Sequence, residues 1–177
     1  MKRKSSILLL GLVLLFGLGG SALAASPYAP GNAGSFFAFG EYSPYMQWDE
    51  NNSYPAAGVG YALTDSLALG VQGRLADGGL VPGAFVTAAF GPLAAGAEYW
   101  SKDGNYCLKA TGLFNLSLGP VKLGVGGGML HADEGDAKFV EVAGKTGFGK
   151  LGVYGAYDYY IDGPESQVLK AGVTYAF

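Results

Sequence analysis

Residues 170–177 read Lys170-Ala171-Gly172-Val173-Thr174-Tyr175-Ala176-Phe177. Counting back from the carboxyl end, Phe177, Tyr175, Val173, Ala171 and Leu169 are apolar at alternate positions, with Thr174, Gly172 and Lys170 between them. A period of two is that of a strand, and one face of this strand carries no polar group. An aromatic strand with a bare edge templates aggregation, so soluble proteins rarely leave one uncovered. Closure into a barrel removes the edge, and the segment is therefore expected to be one seam strand of a closed sheet.

The opposite end of the chain addresses it for export. Lys2, Arg3 and Lys4 form a basic head, an apolar run from Ile7 to Leu18 is interrupted only by Gly11 and Gly17, and Ala22-Leu23-Ala24 supplies a small-residue exit. This is the three-part pattern of a secretory signal peptide. Its apolar run is shorter than the roughly 20 residues that span a bilayer. Residues 1–24 are expected to be a cleaved signal peptide and residues 25–177 the mature domain. Removing the three basic residues from a chain of formal charge −3 leaves −6, which disfavours nucleic acid as a partner, since that would require a basic stripe. Cys107, the single cysteine, cannot form an internal disulfide. The 31 glycines lack a collagen period and stand beside 12 tyrosines and 10 phenylalanines, too many aromatics for a disordered chain.

No segment after residue 24 has a helical period. The uncharged stretch 81–97 resembles a membrane helix until Pro82 and Gly91-Pro92 are considered; it reads better as a hairpin with a Gly-Pro turn. The same dipeptide recurs at Gly119-Pro120. Extending this reading gives strands at 34–43, 54–63, 66–76, 80–90, 93–102, 106–118, 121–131, 137–148, 151–161 and 167–177. Tight turns at Thr64-Asp65, Gly91-Pro92, Gly119-Pro120 and Gly149-Lys150 alternate with longer polar links at 44–53, 77–79, 103–105, 132–136 and 162–166. Alternation of short and long links is expected of an up-and-down membrane barrel, with both termini on the short-turn side. The fold class is thus all-β: a closed antiparallel up-and-down transmembrane β-barrel of about ten strands. Eight is the fallback if the third and fourth strands merge or the first is discounted.

Parity sorts each strand into two faces. Leu108, Ala110, Gly112, Phe114, Leu116 and Leu118 share one face of the sixth strand, and Cys107, Lys109, Thr111, Asn115 and Ser117 the other, with Leu113 the one apolar exception. Across the strands, Glu41, Arg74, Glu98, Lys109, Lys122, Glu141, Lys145, Asp158 and Lys170 all fall on the polar face. A Lys or Arg facing lipid at mid-bilayer costs roughly 2–4 kcal/mol. A soluble sandwich would show the opposite arrangement, charge outside and apolar groups within. Aromatics gather near strand ends: Tyr42, Tyr45, Trp48, Tyr54, Tyr99, Trp100, Tyr106 and Tyr159 toward the links, and Phe90, Phe148, Tyr175 and Phe177 toward the turns. Two such belts match interfacial girdles.

Ten strands at the usual spacing and tilt give a backbone diameter of about 20 Å, leaving at most about 10 Å between inward side chains. Charges of both signs in so narrow a bore are expected to pair, because isolated buried charges are costly. Two readings follow: a salt-bridged plug, or a narrow polar channel helped by empty volume at Gly124, Gly126 and Gly128. The acidic links are either solvated loops or contacts to an anionic leaflet through divalent ions.

The spacing polar-x-Gly-x-x-aromatic-x-aromatic at Lys170, Gly172, Tyr175 and Phe177 resembles the assembly signal of bacterial outer-membrane β-barrel proteins. In size and glycine content the chain is similar to the minimal barrels, the transmembrane domain of OmpA and the YfaZ-like proteins. The resemblance implies an outer-membrane location, outer-membrane lipid and the barrel-assembly machinery as partners, a monomer, no cofactor, and a structural or surface-interaction role. Narrow-pore transport is the alternative, and lipid modification or proteolysis a more remote one. Outer-membrane lipid A deacylases place Ser two residues after His; here that position after His131 is Asp133, so the catalytic resemblance fails and no enzyme activity is expected.

Overall fold

The computed structural model describes residues 33–43, 54–76, 79–133, 135–162 and 167–177. The signal segment and its cleavage point, and Tyr45 and Trp48 in the link 44–53, lie outside these residues. Ten strands run β1 Phe36–Ser43, β2 Tyr54–Thr64, β3 Leu67–Ala76, β4 Gly79–Phe90, β5 Leu93–Lys102, β6 Asn105–Leu118, β7 Val121–Ala132, β8 Gly135–Phe148, β9 Leu151–Tyr160 and β10 Gln167–Ala176. Each pairs antiparallel with its sequence neighbours, and β1 pairs with β10 to close the barrel. The seam sets Phe39 opposite Thr174 and Glu41 opposite Gly172. The count is ten, so the eight-strand alternative falls away.

Turn chemistry fixes the hairpins on one rim. Gly91, Gly119 and Gly149 have φ of 59°, 62° and 63°. At the first two, the following proline is locked at negative φ, and a two-residue loop with a left-handed glycine followed by a proline is a type II′ turn. Phe90 then pairs with Leu93 and Leu118 with Val121. On the other rim the expected rule of long links is only partly obeyed. Asp103 and Gly104 both have positive φ, 54° and 89°, and Lys102 pairs directly with Asn105. That is a type I′ hairpin, for which Asp-Gly is the preferred dipeptide, not a long loop. Ala76 likewise pairs with Gly79, and Ala132 with Gly135, across two-residue links. Among the rim links, the long ones are 44–53 and that between β9 and β10.

The wall is apolar outside. Leu69, Val71, Val86, Leu116, Val125, Met129, Val140, Val142, Val153, Leu169 and Val173 are all exposed, and so are Tyr175 and Phe177 beyond them, which meet edge-to-face. Soluble monomers rarely expose apolar surface on this scale. The lumen holds Phe37, Phe39, Phe85, Trp100, Phe139 and Tyr154, all buried. Each of these rings lies over the glycine directly opposite it on the next strand: Phe37 over Gly60, Phe39 over Gly58, Phe85 over Gly70, Trp100 over Gly83, Phe139 over Gly128 and Tyr154 over Gly172. A β-carbon at any of those glycines would strike the ring.

Two expectations are corrected here. The space at Gly128 is taken by Phe139, and a β-carbon at Gly126 would strike the Gly112 carbonyl, so these glycines admit a ring or a close strand and do not open a bore. Trp100 is buried in the lumen and Tyr54 turns toward Arg74 there, so neither belongs to the outer belt, in which Tyr42, Tyr99, Tyr106 and Tyr159 remain exposed.

Candidate functional site in the barrel lumen

The lumen's charge is concentrated around Lys109 on β6. Its Nζ donates to Asp158 Oδ2 of β9 at 2.6 Å and to Glu141 Oε2 of β8 at 3.3 Å, with all three side chains nearly excluded from solvent. Lys170 of β10 approaches the same Asp158 oxygen at 3.5 Å. The ammonium of Lys109 also stands 4.5 Å from the centre of the Phe139 ring, which adds a cation–π attraction. Strand register prepares the cluster: Glu141 is directly opposite Asp158, and Glu98 directly opposite Lys109. From β6 the lysine must reach over the intervening strands to meet β9, so this pair crosses the bore. Two cations facing two carboxylates neutralise charge that would otherwise be costly to bury.

The other lumen charges stand apart from this cluster. Glu41 accepts hydrogen bonds from the Tyr154 hydroxyl at 2.9 Å and from Ser43 Oγ at 3.2 Å. Arg74 lies over Trp100 and Tyr54, with its guanidinium carbon 4.8 and 5.5 Å from the ring centroids. Lys122 and Lys145 face one another across β7 and β8 near the turn rim, with no ion-pair partner among the described residues. The nine charged positions expected inside therefore divide into a four-residue cluster, a hydroxyl-bound Glu41, an Arg74 beside two rings, a Glu98 opposite Lys109 with no ion pair within 4 Å among the described residues, and a lysine pair. Sequence parity contained no signal for this division, because partners across a bore are set by strand tilt and not by neighbour order.

Not every charge is inside. Lys138 points outward at the link rim and pairs with Asp162 at 2.8 Å, both well exposed. Nearby, the Tyr106 hydroxyl lies 2.9 Å from His131 Nε2, and His131 Nδ1 contacts Asp136. Asp133 Oδ2 accepts from the Tyr106 backbone N–H at 2.7 Å. These bonds tie the β6, β7 and β8 ends together on the outer surface. They mark where the apolar wall gives way to water, so charge exclusion holds for the wall's middle and not its rim.

Two spaces flank the cluster. One, of about 30 Å³ and room for little more than a water, touches Glu98, Lys109, Glu141 and Lys170. The other, of about 390 Å³, occupies the link-side half and is lined by Arg74, Trp100, Tyr54, Glu41, Glu98 and Cys107 above Lys109, Asp158 and Lys170. The turn-side half is filled by Phe37, Phe39, Phe85 and Ala68 and by a group of Ala89, Ala94, Leu113, Ala143 and Ala156.

A closed sheet that is apolar outside and ion-paired inside defines a transmembrane β-barrel. No family model matches the chain, and no curated protein matches it. Among solved structures it is similar to a de novo designed transmembrane β-barrel (12% identity, TM-score 0.46, covering 83% of this chain and 98% of that one). It is similar also to the N-terminal β-barrel domain of Pseudomonas aeruginosa OprF (13%, 0.43, 83% and 100%). A Rh. blastica porin mutant is a further one (14%, 0.39, 78% and 51%).

Proposed function

We propose that the protein is an integral outer-membrane β-barrel with a structural or surface-interaction role, its bore closed by charge pairing and by rings seated on glycines. The observation that carries this reading is the bond from Lys109 to Asp158, which spans the lumen between two buried groups. Below it, aromatic and alanine side chains pack together on the turn side. The outer apolar girdle would contact lipid, and the strand carrying Lys170, Gly172, Tyr175 and Phe177 would engage the assembly machinery. The export signal expected in residues 1–24 would deliver the chain to that membrane.

The narrow-pore alternative draws on the link-side cavity of about 390 Å³. Conductance separates the two. Refolded protein in a planar bilayer is expected to show no steady current above the lipid background; stable, ohmic single-channel steps would overturn the plug. For the catalytic alternative, His131 is engaged by Tyr106 and Asp136 on the exposed rim, an arrangement that joins strand ends.

A further inference from the structure

We propose that the link-side cavity is a binding site for a small zwitterion, its carboxylate held by Arg74 and its ammonium by Glu98 and Glu41. The site stands whether or not the lumen conducts. Its volume of about 390 Å³ falls within the range of small-molecule pockets, roughly 300–1,000 Å³.

The inference comes from which charges are already matched. Lys109 and Lys170 answer Asp158 and Glu141. Arg74 has no carboxylate within ion-pair distance among the described residues, and its Nε is buried without a hydrogen-bond partner. Its guanidinium carbon lies 4.8 Å from the Trp100 ring centroid and 5.5 Å from that of Tyr54, and a guanidinium is the side chain best matched to a planar oxyanion. Neither Glu98 nor Glu41 has a cation within ion-pair distance among the described residues, and Glu41 is held only by two hydroxyls.

Register shows why Arg74 and Glu41 do not satisfy one another. Glu41, Ala56 and Arg74 occupy one row across β1, β2 and β3, so the acid and the arginine backbone are two strand spacings, about 10 Å, apart. The residue between them is an alanine, and the arginine leans toward Trp100. An anion alone would leave the carboxylates unpaired, and a cation alone would leave Arg74 so; one molecule bearing both charges answers both.

Triglycine is a suitable probe, since three extended residues reach about 10 Å. N-acetyltriglycine retains only its carboxylate and triglycine amide only its ammonium. Two reporters line the cavity: Trp100, isolated as the only tryptophan by Trp48→Phe, and Cys107, the chain's single cysteine. With the full chain refolded in micelles, triglycine is expected to change Trp100 emission saturably and to slow maleimide labelling of Cys107. Each capped peptide should bind about tenfold or more weakly, the worth of one hydrogen bond to a charged group. Arg74→Met should reduce triglycine to the level of its amide, and Glu98→Gln should bring it down to that of the acetylated peptide. Circular dichroism checks that each variant folds, and the two lie on different strands, β3 and β5, so loss of one leaves the other decisive. Equal binding by the capped peptides, indifference to both substitutions, or no saturable response to triglycine would overturn the assignment.

Discussion

Lys109 is closely held: two carboxylates and an aromatic ring surround its ammonium. Replacing it by methionine preserves most of its volume but leaves Glu141 and Asp158 facing each other with Lys170 as the one remaining cation. Uncompensated buried charge of this kind costs about 3–5 kcal/mol, so Lys109→Met should lower the urea midpoint of the micelle-refolded barrel sharply. Adding Glu141→Gln should recover much of the loss, because Lys170 and Asp158 then remain as a matched pair. If the two substitutions destabilise additively, the cluster is not a coupled unit. Parity alone placed these residues inside. It could not choose Asp158 as the partner of Lys109, since the two are 49 residues apart and three strands removed.

At the level of elements, the glycines separate into kinds that sequence shows as one letter. Gly119 needs its φ of 62° for the turn, Gly128 needs the missing β-carbon because Phe139 and the Ala110 carbonyl occupy that space, and at Gly40 a β-carbon meets nothing within 4 Å. Gly40→Ala should accordingly be neutral or slightly stabilising through reduced freedom of the unfolded chain. Gly128→Ala should cost about 1–3 kcal/mol as overpacking, read from equilibrium unfolding, and a neutral Gly128→Ala would deny the ring-on-glycine fit. Strand positions were legible because a two-residue period with Gly-Pro stops has one good parse; the observed ends depart from it by at most two residues. The ring-on-glycine pairs were not, although every partner is directly opposite in register. Parity gives a face, and only register gives the neighbour on it. The short β5–β6 link departs from the expected longer polar link 103–105 for a simpler reason: Asp103-Gly104 is the preferred I′ dipeptide.

For the molecule as a whole, the test is what surrounds the wall. Phe114, Val125, Val142, Tyr157 and Leu169 lie side by side around β6 to β10 on the outside, while Glu141 and Asp158, one position away along β8 and β9, are buried in the lumen. A single step along β8 thus carries a side chain from ion pairs to hydrocarbon. Val142 is 51% exposed at mid-strand. In water, Val142→Lys would be an ordinary surface change within about 0.5 kcal/mol of neutral. In a bilayer the same lysine sits near the midplane and should cost about 2–4 kcal/mol. Lysine already occupies position 138 on that same outer face, but at the rim, where Asp162 and water are available. The penalty should therefore depend on depth: large for Val142→Lys, and small for a lysine placed at Val140, nearer the rim. Unfolding free energies measured in lipid vesicles for the two variants decide the matter, because a soluble barrel predicts no difference between them and a spanning one predicts a steep decline toward Lys138.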